Sequence, residues 1–376
     1  MTSPAEGRTD WPAAARELTQ MFAARAAVHD ADDTFVAENY AELKRRRFFS
    51  APIPAALGGG DASYTDVCAI VRTLAHGCSA TALALAMHMH PLALTIRRWR
   101  DEQAPVEGAL RRIATEELII ASSGGSDWLS GSGVAERVEG GLRISGRKRF
   151  VSGGPAADLL MTTAVLNDAV MGSTVLHVAV PLRNEGVAIQ DTWHTLGMRA
   201  TGSHDVLLDR VFVPDTAVSM RRPAGRWVPF FHLLYAVAFP IIYSVYTGVA
   251  EAAREVAVRE AAKKRDDPTV QMLAGEMETE LAGTRAALRD MLETTMTAAP
   301  GADTTNRVMM ARTLVARSAI RTVEKAMELV GGASFYRNLG LERLYRDVQG
   351  ARFHPLPEKQ QALFSGRLAL GLDVSE

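Results

Sequence analysis

A chain of 376 residues, 47% hydrophobic and 23% charged, has the balance of a folded protein of two or three domains, which excludes a small stapled module, a fibre and a disordered segment. Lysine and arginine total 42 against 43 aspartates and glutamates, a formal charge of -1, so there is no basic field to hold a nucleic acid or an acidic membrane. Cys68 and Cys78 make no disulfide framework and lack CxxC spacing, and Met1 to Asp10 is polar, which points to a reducing cytoplasm.

In chain order, residues 1–115 read as helical. Segments over Arg16 to Ala27, Ala37 to Arg47, Thr65 to Ala75 and Ala80 to Trp99 carry apolar residues at spacings of three and four. Pro52, Pro54 and Gly58 to Gly60 mark a turn among them. Residues 116–215 change texture, with short β-rich runs over 118–121, 134–138, 142–144, 159–165, 175–180 and 206–213, and a hairpin turn at Gly140-Gly141. Past Pro214 the helical period returns through 216–376. Met310, Leu314, Ala319 or Ile320, Val323, Met327 and Val330 form an apolar stripe with Arg312 and Arg317 off it, and Gly331-Gly332 closes that helix. From Trp227 to Ala250 no Asp, Glu, Lys or Arg occurs, behind Arg221, Arg222 and Arg226, as in a membrane span. Pro229, Pro240, His232, Ser244 and Thr247 inside the run, and the lack of a second span, favour a buried helix instead.

Local motifs agree with this order of helices, strands and helices. They are Gly146-Arg147-Lys148-Arg149-Phe150-Val151-Ser152-Gly153-Gly154, Gly197-Met198-Arg199-Ala200-Thr201-Gly202-Ser203, Val211-Phe212-Val213-Pro214, Glu328 to Tyr336, and Leu341 to Asp347. Together they resemble the acyl-CoA dehydrogenase superfamily over nearly the whole chain. The resemblance implies an α+β fold with an N-terminal helical domain, a middle β-barrel domain and a C-terminal four-helix bundle. It also implies a flavin, FAD or FMN, and a homotetramer or homodimer. By the family's pattern Phe150 and Ser152 lie beside the flavin ring, an apolar wall and a hydrogen-bond donor that tune it; barrel core is the other reading of Phe150. Ser122, in the shortened loop Ala121 to Asp127, would bind the ring's pyrimidine edge. Arg259, Gln271, Gly331 and Gly332 would reach the dinucleotide of a neighbouring subunit, or Lys263-Lys264-Arg265 would hold its pyrophosphate instead of forming a solvated face.

A dehydrogenase of this family needs a carboxylate to take the proton alpha to a thioester. The two positions that relatives use correspond here to Pro355, nine residues after Arg346, and Ala238, so neither supplies a base. Glu342, Glu358 and Glu251 are the nearest carboxylates and read as surface or ion-pairing residues. His354 stands eight residues after Arg346, a spacing similar to the flavin-dependent monooxygenase branch of the fold, which holds dibenzothiophene monooxygenase and the two-component phenol hydroxylases. That branch also carries a histidine in its N-terminal domain, for which His88 and His90 are candidates and His90, before Pro91, the better match. Beside a flavin that activates oxygen, a histidine can pass on a proton or take one from a substrate hydroxyl or amine; satisfying backbone groups in the core is the other reading of this pair. The expectation is a soluble oxidoreductase, a monooxygenase fed by a separate flavin reductase. An acyl-CoA dehydrogenase with a relocated base and a flavin-binding protein without turnover are the alternatives. Met87, Met89, Phe230, Phe231, Tyr235 and Phe239 suggest an apolar cavity for a small substrate.

Overall fold

A computed structural model of the chain describes residues 9–168 and 172–374; residues 1–8 of the polar N-terminal stretch lie outside the described residues. Five helices open the chain: α1 (Trp11–Ala31), α2 (Ala37–Arg45), α3 (Tyr64–Ala75), α4 (Ser79–Asp101) and α5 (Glu107–Glu116). Their starts follow from local chemistry. The Asp10 side chain accepts from the Ala13 amide at 2.9 Å ahead of α1, and Ser63 and Asp66 form a reciprocal capping box at α3.

The middle of the chain forms β1 (Ile120–Ser122), α6 (Gly125–Ser130), β2 (Val134–Val138), β3 (Gly141–Lys148), β4 (Leu159–Asp168), β5 (Gly172–Pro181), β6 (Val187–Gln190), β7 (Asp205–Pro214) and β8 (Val218–Pro223). These make one eight-stranded sheet in the order β6-β7-β3-β2-β4-β5-β8, with β1 parallel to β4 off that path. The sheet buries a core of its own, including Leu142, Ile144, Leu160, Leu176, Val206 and Val213. Its end strands β6 and β8 do not pair with each other, so the barrel is open. Along β7 the buried residues are Val206 and Leu208, then Val211 and Val213, a break in alternation that a bulge absorbs. The expected return of helix directly after Pro214 is corrected here, because residues 218–223 pair antiparallel with β5. Those six residues alternate toward a buried Arg222, which the sequence presented as a basic flank.

Three long helices follow, α7 (Phe230–Ala261), α8 (Pro268–Thr297) and α9 (Ala302–Val330), then the short α10 (Leu341–Val348) and α11 (Glu358–Ala369), the latter packed on α9 as the fourth member of the bundle. The uncharged run lies in α7, and 94% of its most apolar window is buried inside the protein. Such a helix is covered by protein on every side and needs no lipid. Pro240 sits within it and removes an amide donor, freeing carbonyls one turn earlier. Side chains of other helices replace the lost bonds: the Thr295 hydroxyl donates to the Ala236 carbonyl at 2.8 Å and Tyr64 donates to Val237 at 2.7 Å.

The stripe expected on α9 holds in its later part, where Ala319, Ile320 and Val323 are buried and Met327 and Val330 pack against the core, and fails at its start: Met310 and Leu314 are exposed at 41% and 52%, while Val308, Met309 and Val315 turn inward instead. Arg312, placed outside by its charge, is 1% exposed and is among the largest fully buried side chains in the protein. Its stem is covered by the bundle while its guanidinium finds carbonyls, which is what a buried cation requires.

Candidate active site

Six segments from all three parts of the chain line a cavity of about 640 Å³, one of them the loop Trp193 to Met198 ahead of β7. α4 contributes Leu83, Met87 and His90; the loop from β1 into α6 contributes Ser122 to Ser126; the turn after β3 contributes Phe150 and Ser152. α7 adds Leu234, Tyr235, Ala238, Phe239, Ile242 and Tyr246, and the turn after α10 adds Gly350, Phe353, His354 and Pro355. Of the apolar residues expected at a cavity, Met87, Tyr235 and Phe239 line it, while Met89 and Phe231 are packed in the core and Phe230 lies outside the lining.

Phe150 has φ of +58°, a left-handed conformation that costs a bulky residue energy and turns its ring outward. The ring is 56% exposed and meets Trp193 edge-on at 6.0 Å, so barrel core is excluded for it. Ser152 is buried at the cavity wall. Its hydroxyl lies 2.7 Å from that of Ser203, which lies 2.6 Å from Thr201. Ser122 lies at the end of β1, 5% exposed, and lines the same cavity. The loop beyond it is fitted closely: a Cβ on Gly125 would stand 2.2 Å from the Pro355 ring, so only glycine lets this loop meet the turn that carries His354. Beneath the loop, buried Asp127 is held by Lys148 Nζ at 3.0 Å, and that ammonium also donates to the carbonyls of Ser132 and Thr163 at 2.7 and 2.6 Å.

The three histidines separate cleanly. His88 is 1% exposed; its Nδ1 accepts from the Ile120 amide at 2.9 Å, so Nε2 carries the proton and donates to the Phe49 carbonyl at 2.8 Å. It is a structural tie between α4, the chain near Phe49 and β1. His90 and His354 both face the cavity. Burial pushes both imidazoles down to about 3, with the Arg312 cation adding to the effect on His354 and His88 to that on His90. Both are therefore neutral near pH 7.

Among the described lining residues there is no aspartate or glutamate. Pro355 and Ala238 do line the cavity, so the two places where the family's base was sought open onto it and carry no proton acceptor. The three carboxylates that the sequence put nearest are each held in an ion pair. Glu251 pairs with Arg72 and, at 2.7 Å, with Arg285; Glu358 pairs with Arg317 at 2.7 Å; Glu342 pairs with Arg346 at 2.8 Å. Arg346 is the cavity's cation, and Asp30, at 2.5 Å, joins Glu342 in neutralising it. The neighbouring Asp347, 3% exposed, is pushed up to about 6 by burial and accepts from the Met198 amide at 2.6 Å, which fixes the Gly197 to Ser203 motif against α10.

Arg259, Gln271, Gly331 and Gly332 do not line this cavity. Arg259 follows Tyr246 by 13 positions on α7, about 20 Å along the axis, with its guanidinium 3.7 Å from Glu260. Gln271 donates to the Arg265 carbonyl at 3.0 Å, and Lys263 pairs with Glu260 at 2.7 Å. Within one chain these groups stand apart from Phe150 and Ser152. Trp193, Tyr246 and Arg312 belong to the site or its support and had no role in the sequence reading. A tyrosine in an apolar run and an arginine on a helix carry no signal of their own without the fold.

The domain models of the acyl-CoA dehydrogenases match in order: the N-terminal domain over residues 9–117, the middle domain over 121–211 and the C-terminal domain over 236–354. The amino sugar nitrososynthase RubN8 of Streptomyces rubradiris is 31% identical over 93% of this chain and 87% of its own length. YdbM of Bacillus subtilis strain 168, named for acyl-CoA dehydrogenation, is 29% identical over 92% of each. The solved structure of KijD3 in complex with FMN and dTDP-3-amino-2,3,6-trideoxy-4-keto-3-methyl-D-glucose superimposes with a TM-score of 0.87 at 28% identity, covering 97% of this chain and 95% of that one. By three consecutive domain matches and a relative at 31% identity across the chain, the protein belongs to the acyl-CoA dehydrogenase family.

Proposed function

We propose that the protein is a flavin-dependent monooxygenase acting on a small neutral substrate, with reduced flavin delivered by a separate reductase. The observation that carries this reading is a cavity with two neutral histidines and no carboxylate among its described lining residues. The residues present fit a flavin, FMN or FAD. The exposed Phe150 ring with Trp193 at its edge offers a flat wall, and the Ser152 hydroxyl and the Ser122 to Ser126 loop offer polar atoms beside it. FMN is favoured by its presence in KijD3. Arg259, Gln271, Gly331 and Gly332 fit contacts to the same cofactor only from a neighbouring subunit, in a homotetramer or homodimer. Both cysteines are buried and free, in keeping with a cytoplasmic enzyme.

When bound, the flavin supplies the electrons that reduce dioxygen and let one oxygen atom pass to the substrate. This chain's residues do the rest. Leu83, Met87, Ala238, Phe239 and Ile242 bound an apolar wall that keeps water out. The neutral imidazole of His90 can take a proton from a substrate hydroxyl or amine, and that of His354 can present an N–H to reduced oxygen. With Arg346 already neutralised, no free charge of the described lining selects an ionic substrate. Oxidation at an amine nitrogen is favoured within this class by RubN8 and KijD3, one named for a nitroso product and the other solved with an amino sugar nucleotide.

The test is anaerobic mixing of the oxidised, flavin-loaded protein with a panel of acyl-CoAs. The flavin band at roughly 450 nm should persist; its bleaching would establish the dehydrogenase alternative. In the aerobic arm, reduced flavin with amines, sulfides and phenols under ¹⁸O₂ should give a product carrying one labelled atom.

A further inference from the structure

Behind His354 stands a group of side chains to which oxygen transfer alone assigns no task. The Tyr246 oxygen lies 2.7 Å from His354 Nε2, and Tyr246 is fully buried. The backbone next to it is held from two sides. Arg312 Nη2 donates to the carbonyls of His354 at 2.6 Å, Ala351 at 3.3 Å and Arg352 at 3.4 Å, and Tyr243 donates to Ala351 at 2.8 Å. The chain is also cut to fit the hydroxyl, since a Cβ on Gly350 would stand 2.7 Å from the Tyr246 oxygen. Arg312 and Tyr243 thus fix where the histidine backbone runs. What remains free is the rotation of the ring and the choice of the nitrogen that carries its proton.

We propose that Tyr246 is the positioning residue that makes both choices, holding Nε2 so that a protonated Nδ1 faces the cavity. A buried hydroxyl must place its hydrogen on an acceptor, and Nε2 is the acceptor within reach among the described residues. The phenol therefore donates, Nε2 accepts, and the ring's own proton sits on Nδ1. Burial keeps the phenol protonated, holding Tyr246 well above the ordinary tyrosine range, so the assignment persists through neutral pH. A neutral histidine would then present a donor to reduced oxygen at a fixed angle. This consequence rests on the monooxygenase reading; the placement of the proton does not.

The experiment compares full-length wild type, Tyr246→Phe and Gly350→Ala, each with and without flavin. Ring ¹⁵N shifts of His354 should show the Nδ1-protonated tautomer in the wild type and a return toward the Nε2-protonated one in both variants. Turnover should fall about 10- to 100-fold with KM within about twofold. In a His354→Ala background, Tyr246→Phe should remove nothing further. Wild-type ¹⁵N shifts in both variants, or an undiminished effect of Tyr246→Phe without the histidine, would overturn the proposal. The shifts are read on the chain itself, so they decide the matter even where acyl-CoA bleaching has refuted oxygen transfer.

Discussion

Replacing His88 tests whether a buried histidine ties the helical layer to the sheet. Its neutral ring bridges the Phe49 carbonyl and the Ile120 amide, and burial pushes it down to about 4 from an ordinary value near 6.5. The unfolded chain therefore takes up the proton first as pH falls. Stability from this group is complete above about pH 6.5 and is lost progressively toward pH 4. Between pH 7.5 and 5, the unfolded state gains about 1.5 units of protonation free energy at 1.36 kcal/mol per unit, a loss near 2 kcal/mol. His88→Gln keeps an amide donor and acceptor but does not titrate. At pH 7.5 it should cost about 1–3 kcal/mol for an imperfectly replaced buried bond. Urea unfolding at the two pH values then gives the decisive quantity. Wild type should lose about 2 kcal/mol more than the variant on acidification, because His177 and His354 keep their surroundings in both, and His90, whose depression comes mainly from burial and only secondarily from His88, stays neutral at pH 5 in both. Equal acid losses in the two proteins would refute the assignment of a neutral, bridging His88.

Three further outcomes are expected. His354→Ala should lower oxygenation about 100-fold or more while leaving the melting temperature within about 2 °C; rapid turnover in that variant would remove the histidine from the mechanism. Phe150→Ala should weaken flavin binding by about 1–2 kcal/mol in a fluorescence titration, since the ring is already outside the core and has little folding role to lose. Lys148→Met should destabilise the fold by about 3–5 kcal/mol in denaturant, because it strands the buried Asp127 carboxylate. Adding Asp127→Asn should recover part of that loss, and a double variant no better than the single would show that the ion pair is not the cause.

The parts of the sequence that spoke clearly were those whose meaning is local. The Gly140-Gly141 pair marks a hairpin whichever fold surrounds it, and β2 and β3 pair across Glu139 and Gly140, with Gly141 already the first residue of β3. The charge-free run over Trp227 to Ala250 reads as a membrane span or a buried helix, its prolines favour the latter, and α7, which holds most of it, is buried inside the protein. Failures came where tertiary context chose between equal local options. On α9 the apolar residues 308, 309, 315 and 316 compete with 310 and 314, and the positions of α7 and α8, against which it packs, decide which face turns inward. Residues 218–223 gain a strand partner 45 residues away that no periodicity could announce. At the site, the family resemblance singled out His354, by its distance from Arg346, and His90, by its place before Pro91, and both line one cavity. The supports of His354 were invisible because Arg312 resembles a solvent residue until three carbonyls are seen around it.

Pro240 divides α7 into two working lengths. Leu234, Tyr235, Ala238 and Phe239, before it, and Ile242, just after it, line the cavity, and Tyr246, one turn further on, carries the contact to His354. The carbonyls that Pro240 leaves without an amide partner are held by hydroxyl groups of α3 and α8. Changes to the first length would reshape the cavity wall while leaving Tyr246, and the histidine it steadies, in place.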